Sequence, residues 1–392
     1  MLIRDVETFV LKVRGPAAYL GALPDGTELT ADAGYRVREP WRSLYSASFE
    51  TLLVRVEAED GTAGWGEALA PVGPEIPAEI VDRLLGPQLI GSDAAAPRPA
   101  WARLRALMRE RGHLVGHQAD ALAALDIALW DLAGRISGLS VARLLGGAHR
   151  DRVPAYVSGL PRPDDAGRAE LARAWQEKGA RTVKLHLGYG VDTDLATVDA
   201  VRAAAPDLDV AVDAHWRYGP AQAARLGREL ADRGVVFLEA PLAPEDVDAH
   251  RRLADRIELP IAIGETLRTR YEFAQWLAAG AIGLAQPDVG RTGITEATAI
   301  AELCAAHHVP LAPHHSVALG PALAAGLHVS AATEDSPFFE YQPTTVETAA
   351  ALGFAFDVGP DGFGLDERPG LGLDVDEDRI RATATRHHAC AR

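Results

Sequence analysis

TVKLH (182–186), DVAVDAH (209–215), VVFLEA (235–240), PIAIGE (260–265), IGLAQPD (282–288), VPLAPH (309–314) and PFFEY (337–341) are seven short runs of one kind. Each is apolar, and each has an ionisable residue at or near its end. VPAYVS (153–158) precedes them and makes eight, and every gap holds a helical stretch or room for one. Eight strand-and-helix units predict an α/β protein built on a (β/α)8, modified TIM, barrel. Similarity between the units is too weak to make a repeat.

The ionisable residues keep step with the units. Lys184, Asp213, Glu239, Glu265, Asp288, His314 and Glu340 follow one another at intervals of 29, 26, 26, 23, 26 and 26 residues. The C-terminal strand ends of a barrel ring the mouth where active sites lie. The spacing therefore gathers seven ionisable groups in one pocket. Asp213, Glu239 and Glu265 are consecutive, and three carboxylates so close stay ionised only beside a counter-charge. A hard divalent cation supplies it. All-oxygen ligation favours Mg²⁺, with Mn²⁺ as the alternative. Salt bridges at strand ends are the competing reading, and the regular phase weighs against them.

Strand alternation puts Val183 and Leu185 on one face and Lys184 and His186 on the other. With the apolar pair against the helices, both basic groups point into the mouth. A neighbouring cation lowers the pKa of a basic group, which suits Lys184 to act as a base near neutral pH. Asp288 and His314 lie on adjacent strands, within reach of a hydrogen bond. Such a bond would fix the imidazole tautomer and support its protonated form, so His314 can serve as acid or base opposite Lys184. His315 is expected to point elsewhere, and His307 and His308 to lie on the surface.

The region ahead of the barrel reads as α+β. Residues 2–13 and 50–58 alternate like strands, and Glu59-Asp60-Gly61 turns the second into AGWGEA. Residues 14–45, rich in Gly, Pro and polar residues, predict a long loop, either a lid or disordered. Helical patterns follow at 77–85 and 98–111. The clearest helix is 117–135, where Leu122, Leu125, Leu129 and Leu132 recur at helical spacing. The turn-rich tail has short strand signals and is expected to return to the first domain. The division is a capping domain at 1–125, a barrel at 126–350 and a returning segment at 351–392.

Composition narrows the function. A chain of 392 residues, 48% apolar and with a formal net charge of −16, has material for a large core but no Lys/Arg-rich run. That argues against a nucleic-acid partner. The N-terminal stretch lacks a signal peptide's apolar core, and no segment approaches a membrane span. Of the two cysteines, Cys304 falls in an apolar helical pattern and Cys390 in a polar tail, which suits a reducing, cytoplasmic setting. An anionic substrate would then be drawn locally, by a metal and a few cations.

Ahead of the barrel stands LAALDIALWDLAGRISG…LLGG. VKLH, VDAH, LEAP, IGET, QPDVGRTGITEA, APHHSVALGP, FFEY and PGLGLDV follow in order. Together they resemble the enolase superfamily and, within it, the mandelate racemase-like group. QPDVGR has no lysine at the sixth strand end, unlike the muconate lactonising-like group. The resemblance implies that Asp213, Glu239 and Glu265 hold the metal and that the metal binds a substrate carboxylate. It also implies that a base removes the adjacent proton to give an enediolate, that Asp288–His314 is a catalytic dyad, and that Glu340 hydrogen-bonds an enediolate oxygen. It further implies a homo-oligomer.

Two departures from the group's pattern stand out. Lys184-Leu185-His186 replaces the common Lys-x-Lys, and His215 stands where Asn is common. Asp213-x-His215 resembles the galactonate dehydratase-like members, whose histidine there is a general acid, so His186 and His215 are rivals. The expected reaction is dehydration of a sugar acid (aldonate or aldarate) to a 2-keto-3-deoxy acid, with Trp216, Arg217 and Tyr218 holding the polyol chain. A racemase, epimerase or cycloisomerase is the first alternative, and a barrel that binds metal and ligand without turnover the second. Cap loops at about 14–47, with Tyr19, Arg36, Trp41, Arg42 and Tyr45, and at 70–78 are expected to cover the mouth.

Overall fold

A computed structural model describes residues 1–15, 27–30 and 34–391. Seven parallel strands form one sheet. In spatial order they are Leu284–Ala285, Ile261–Ile263, Leu238–Glu239, Asp209–Asp213, Thr182–His186, Ala155–Ser158 and Phe339–Tyr341. The run 309–314 joins through parallel bridges, Ala285 with Leu311 and Asp288 with His314. The Leu311 amide donates to the Asp335 carbonyl, on the approach to the last strand. The eight runs thus stand around the barrel in the expected order, and helices fill the intervals between them.

Alternation along the strands builds the site. Tyr156, Ala211, Phe237, Ala262, Leu284 and Ala312 pack together as an apolar floor. Two residues further along each strand come Ser158, Asp213, Glu239, Gly264, Gln286 and His314, on the same face. Gly264 is the exception with a reason. A Cβ there would lie 2.3 Å from the Gln286 carbonyl carbon. Glycine lets the fifth strand approach the sixth, and the carboxylate is displaced to Glu265.

The cap is a four-stranded antiparallel sheet in the order Arg386–Ala391, Ile3–Val13, Phe49–Ala58, Ala63–Ala68. The C-terminal segment therefore does return to the N-terminal region. Helix His117–Ser137 packs on this sheet so closely that a Cβ at Gly66 would lie 1.9 Å from the Ala124 carbonyl oxygen. Buried acids on the helix tie cap to barrel. Asp126 accepts from the Thr295 amide (2.7 Å) and hydroxyl (2.6 Å). Asp131 accepts from the amides of Trp65 (2.8 Å) and Leu371 (2.7 Å). From the sheet itself, Glu67 accepts from the amides of Leu319, Gly320 and Ala322. These are free N–H groups at the start of helix Pro321–Ala331, where a carboxylate is favoured.

One expectation changes. The described part of 14–45 is not an irregular loop. Thr27–Thr30, Tyr35–Arg38 and Ser43–Ser46 form a three-stranded antiparallel sheet. YRVR and SLYS do alternate, but over four residues each, too few to outweigh the turn residues around them. Tyr19 lies outside the described residues. Cys304 is buried, whereas Cys390 sits on the edge strand and donates to the Asp82 carbonyl at 3.2 Å. Among the described residues no helix is long and apolar enough to cross a membrane.

Candidate active site

A cavity of about 230 Å³ opens at the C-terminal strand ends, beneath the cap. Its walls include Lys184, His186, Asp213, His215, Trp216, Glu265, His314 and Glu340, and on the cap side Ser43–Ser46, Pro71 and Val72. The two cap segments expected over the mouth are both there.

Lys184 stands between two carboxylates. Its Nζ lies 2.7 Å from Glu239 Oε2 and 2.9 Å from Glu340 Oε1. Burial disfavours the ammonium, yet Glu239 and Glu340 outweigh it and hold Lys184 well above its ordinary value. The lowering expected beside a metal cation is not seen in this arrangement, where the groups nearest Lys184 are carboxylates. Glu239 is pushed upward, first by burial, with Lys184 pulling down and Asp213, Glu340 and Glu265 pushing up. The crowding of like charges read from the spacing is thus visible at this residue.

Asp213 ends the third strand and meets two imidazoles. His186 Nδ1 lies 3.3 Å and His215 Nε2 3.4 Å from its Oδ2. Burial would raise its pKa, but His215, His186 and Lys184 hold it well below the carboxylate range. His215 does not reach the cavity by simple strand alternation. The strand stops at Asp213, and His215 (φ 48°) and Trp216 (φ 58°) turn through the left-handed region. The His215 amide donates to Asp213 Oδ1 (2.9 Å), which holds the turn. The His215 ring stacks on Trp41 of the cap at 3.8 Å, and Trp41 Nε1 donates to the Leu187 carbonyl at 2.8 Å. Burial pushes His215 down to about 4. His186 Nε2 lies 3.1 Å from the Ser158 hydroxyl.

Across the barrel, His314 Nδ1 and Asp288 Oδ2 are 2.6 Å apart, so the expected hydrogen bond between them is present. His314 Nε2 faces the cavity, 3.3 Å from Glu265 Oε2. Burial works against the imidazolium, but Glu340, Asp288 and Glu265 raise it to about 9. Glu340 accepts from Ser158 Oγ (2.5 Å) and from the His315 amide (3.2 Å). Burial alone would raise it, and Lys184 and His314 reverse that and keep it ionised. It must take up a proton before it can donate one to an enediolate oxygen. His315 turns away and stacks on Phe339, and His307 and His308 are exposed.

Trp216, Arg217 and Tyr218, expected together on the polyol chain, are separated. Trp216 lines the cavity and donates to Glu265 Oε1 (3.0 Å). Arg217 is exposed to solvent, and Tyr218 is buried with its hydroxyl on Asp194. The left-handed turn at 215–216 rotates the following residues out of the wall. Three further residues join the site. Ser158 and Gln286 occupy inward positions above the apolar floor, and Gln286 Nε2 donates to Glu239 Oε2 (3.0 Å). The same period-two phase that marks Asp213 and Glu239 also marks them. Arg291, inside QPDVGR, lines the cavity as well.

Asp213, Glu239 and Glu265 offer carboxylate oxygens, the donors a hard cation takes, from three successive strand ends, but these oxygens do not all come within 4.8 Å of one another. Glu239 Oε1 is buried with no hydrogen-bond partner among the described residues, an anionic atom that calls for a positive partner. His186, Asp213 and His215 do bring ligand atoms within 4.8 Å of one another. This carboxylate arc has Asp213 and Glu265 on the cavity wall and Glu239 ion-paired to Lys184.

A barrel with such an arc between a lysine and an Asp–His dyad defines a class, enzymes that form enolates beside a metal ion. Residues 167–379 match the family described as enolase C-terminal domain-like, and residues 37–146 the mandelate racemase / muconate lactonizing enzyme N-terminal domain. The chain belongs to the enolase superfamily, in its mandelate racemase-like group. A D-galactarolactone cycloisomerase of Agrobacterium fabrum is 35% identical, over 84% of this chain and 90% of that protein. A D-galactonate dehydratase of Xanthomonas euvesicatoria pv. vesicatoria is 32% identical, over 87% and 93%. Among solved structures, an enolase superfamily member from Agrobacterium tumefaciens superposes with a TM-score of 0.92 at 36% identity, covering 97% of this chain and 98% of that one. A racemase from Streptomyces coelicolor A3(2) with bound magnesium gives 0.84 at 26% identity, covering 98% and 100%.

Proposed function

We propose that the protein is a Mg²⁺-dependent sugar-acid dehydratase, a carbon–oxygen lyase. It removes the proton next to the substrate carboxylate, expels the 3-hydroxyl and leaves a 2-keto-3-deoxy acid. The observation that carries this reading is the cavity itself, with acid–base groups on both flanks of the carboxylate arc. Asp213, Glu239 and Glu265 would hold Mg²⁺ (or Mn²⁺). Bound there, the ion neutralises the substrate carboxylate and the charge that develops as the adjacent proton leaves.

The chain's own residues divide the remaining work. Lys184, locked between Glu239 and Glu340, supplies fixed positive charge. The third and seventh strands face each other across an eight-stranded barrel, so the His186–His215 pair on Asp213 and the Asp288–His314 dyad address opposite faces of a bound acid. One flank takes the proton from carbon 2, and the other protonates the departing hydroxyl. Trp41 and the hairpin Tyr35–Ser46 cover the cavity and keep water from the intermediate. Residence in the cytoplasm, supported by two free cysteines, and a homo-oligomeric state, supported by the resemblance, belong to the same proposal.

The 35% identity to a cycloisomerase favours a second reading. Proton removal would be the same, but the leaving oxygen would belong to a ring. One experiment tests both readings. Aldonates, aldarates and their lactones are incubated with the Mg²⁺-loaded protein in D₂O, before and after metal stripping. Dehydration or ring opening yields a 2-keto acid, whereas epimerisation yields deuterium at carbon 2 without keto acid. Neither product across the panel would refute the enzyme reading. Full activity after stripping would refute the ion assignment.

A further inference from the structure

The geometry points to Arg291 as the receptor for a second carboxylate, at the end of the substrate remote from the enolised carbon. The substrate class is then the open-chain diacids, the aldarates, rather than the aldonates. This rests on the sugar-acid reading above.

The inference starts from charge matching inside the cavity. Every other charged side chain there has an opposite partner. Lys184 sits on Glu239 and Glu340. Asp213 sits on His186 and His215. His314 sits on Asp288 and Glu265. Arg291 lines the same cavity, yet among the described residues no carboxylate stands within ion-pairing distance of it. Its Nε is buried without a hydrogen-bond acceptor. The side chain is half-buried, and its Nε is a buried donor left for a ligand oxygen to fill. The planar fork of arginine matches a carboxylate through two parallel hydrogen bonds.

Its place in the fold sets it against the cap. The Arg291 amide donates to the Asp288 carbonyl at 3.0 Å, so it sits just beyond the end of the sixth strand. The neighbouring Gly290 carbonyl accepts from the Leu69 amide of the cap at 2.9 Å. Lys184 rises from the second strand, on the opposite side of the barrel. A cavity with the carboxylate arc on one side and Arg291 beneath the cap suits a short molecule whose one carboxylate meets the ion the arc would hold and whose other reaches the guanidinium. Ser43, Ser46 and Ser48 of the cap line the same cavity.

The test uses substrate pairs that differ only at the terminal carbon, each aldarate against its aldonate, with Mg²⁺-loaded enzyme. Both kcat/KM and deuterium exchange at carbon 2 are read. Wild type is expected to favour the diacid by about 100-fold, the scale on which a buried charge pair loses binding when one partner is removed. Arg291→Gln should bring the ratio to within about fivefold of unity. Arg291→Lys, which restores the charge without the fork, should recover part of the preference. Equal use of monoacids and diacids by wild type would overturn the inference and leave the enolisation reading standing. So would an equal loss on both classes in Arg291→Gln. Absence of exchange with either class would overturn both.

Discussion

Replacing Asp288 by Asn keeps the size of the side chain and removes its charge. Asp288 N-caps helix Val289–Ala306 without a side-chain cap bond, so the helix start should survive. The effect should fall on His314. Its imidazolium is raised to about 9 against the burial that opposes it, by Glu340, by the Asp288 hydrogen bond and charge, and by Glu265. Relative to an ordinary histidine near 6.5, that is about 3 kcal/mol in favour of the charged form at 1.36 kcal/mol per unit. Loss of one close opposite charge should lower the titration by about one to two units. It should also cost about 10²- to 10⁴-fold in kcat, the range for a misdirected acid–base group. The assays are the imidazole proton shifts of the metal-free protein against pH, and 2-keto acid formation with Mg²⁺. If Asp288→Asn left the His314 titration in place and kcat within about threefold, the dyad would not be an acid–base unit.

Two further outcomes follow from the same geometry. His215, stacked on Trp41 and lining the cavity, should matter more for turnover than His186, which is turned toward Ser158. His215→Asn should lose about 100-fold or more in keto-acid formation, and His186→Asn should lose less, with the opposite ranking moving the assignment to His186. Away from the site, His328 is buried, accepts from the Ala142 amide at 3.3 Å and is pushed down to about 4 by burial. The unfolded chain takes up this proton near 6.5 and the fold only near 4, so the stabilisation is whole above 6.5 and falls as pH drops toward 4, by up to about 3 kcal/mol. Thermal midpoints between pH 7 and 4.5 should therefore decline, and decline less in His328→Gln; identical slopes for the two proteins would contradict this account.

The barrel and most of its polar ring were legible in the sequence, because both follow from local periodicities. Inward positions recur every second residue along a strand, and strand ends recur once per β/α unit. Asp213, Glu239, Asp288, His314 and Glu340 could therefore be placed without coordinates. Ser158 and Gln286 obeyed the same phase, but they are uncharged and did not stand out among the ionisable groups.

What only the tertiary structure decided is set by contacts between distant segments. The left-handed turn at His215 and Trp216 brings both into the cavity and sends Arg217 and Tyr218 out of it. The close approach of Gly264 to Gln286 accounts for Glu265 standing one residue late. The hairpin that sets Trp41 on His215 is built from strands too short to read in isolation. The surroundings of the ionisable groups were decided there as well. Lys184 was read as a base lowered by a neighbouring cation, and the fold sets it between Glu239 and Glu340, which raise it, because a pKa depends on what lies within a few ångströms and not on sequence spacing. Arg291 shows the same division. Its identity was plain in QPDVGR, but that it lines the cavity with no carboxylate paired to it among the described residues is a property of the folded molecule alone.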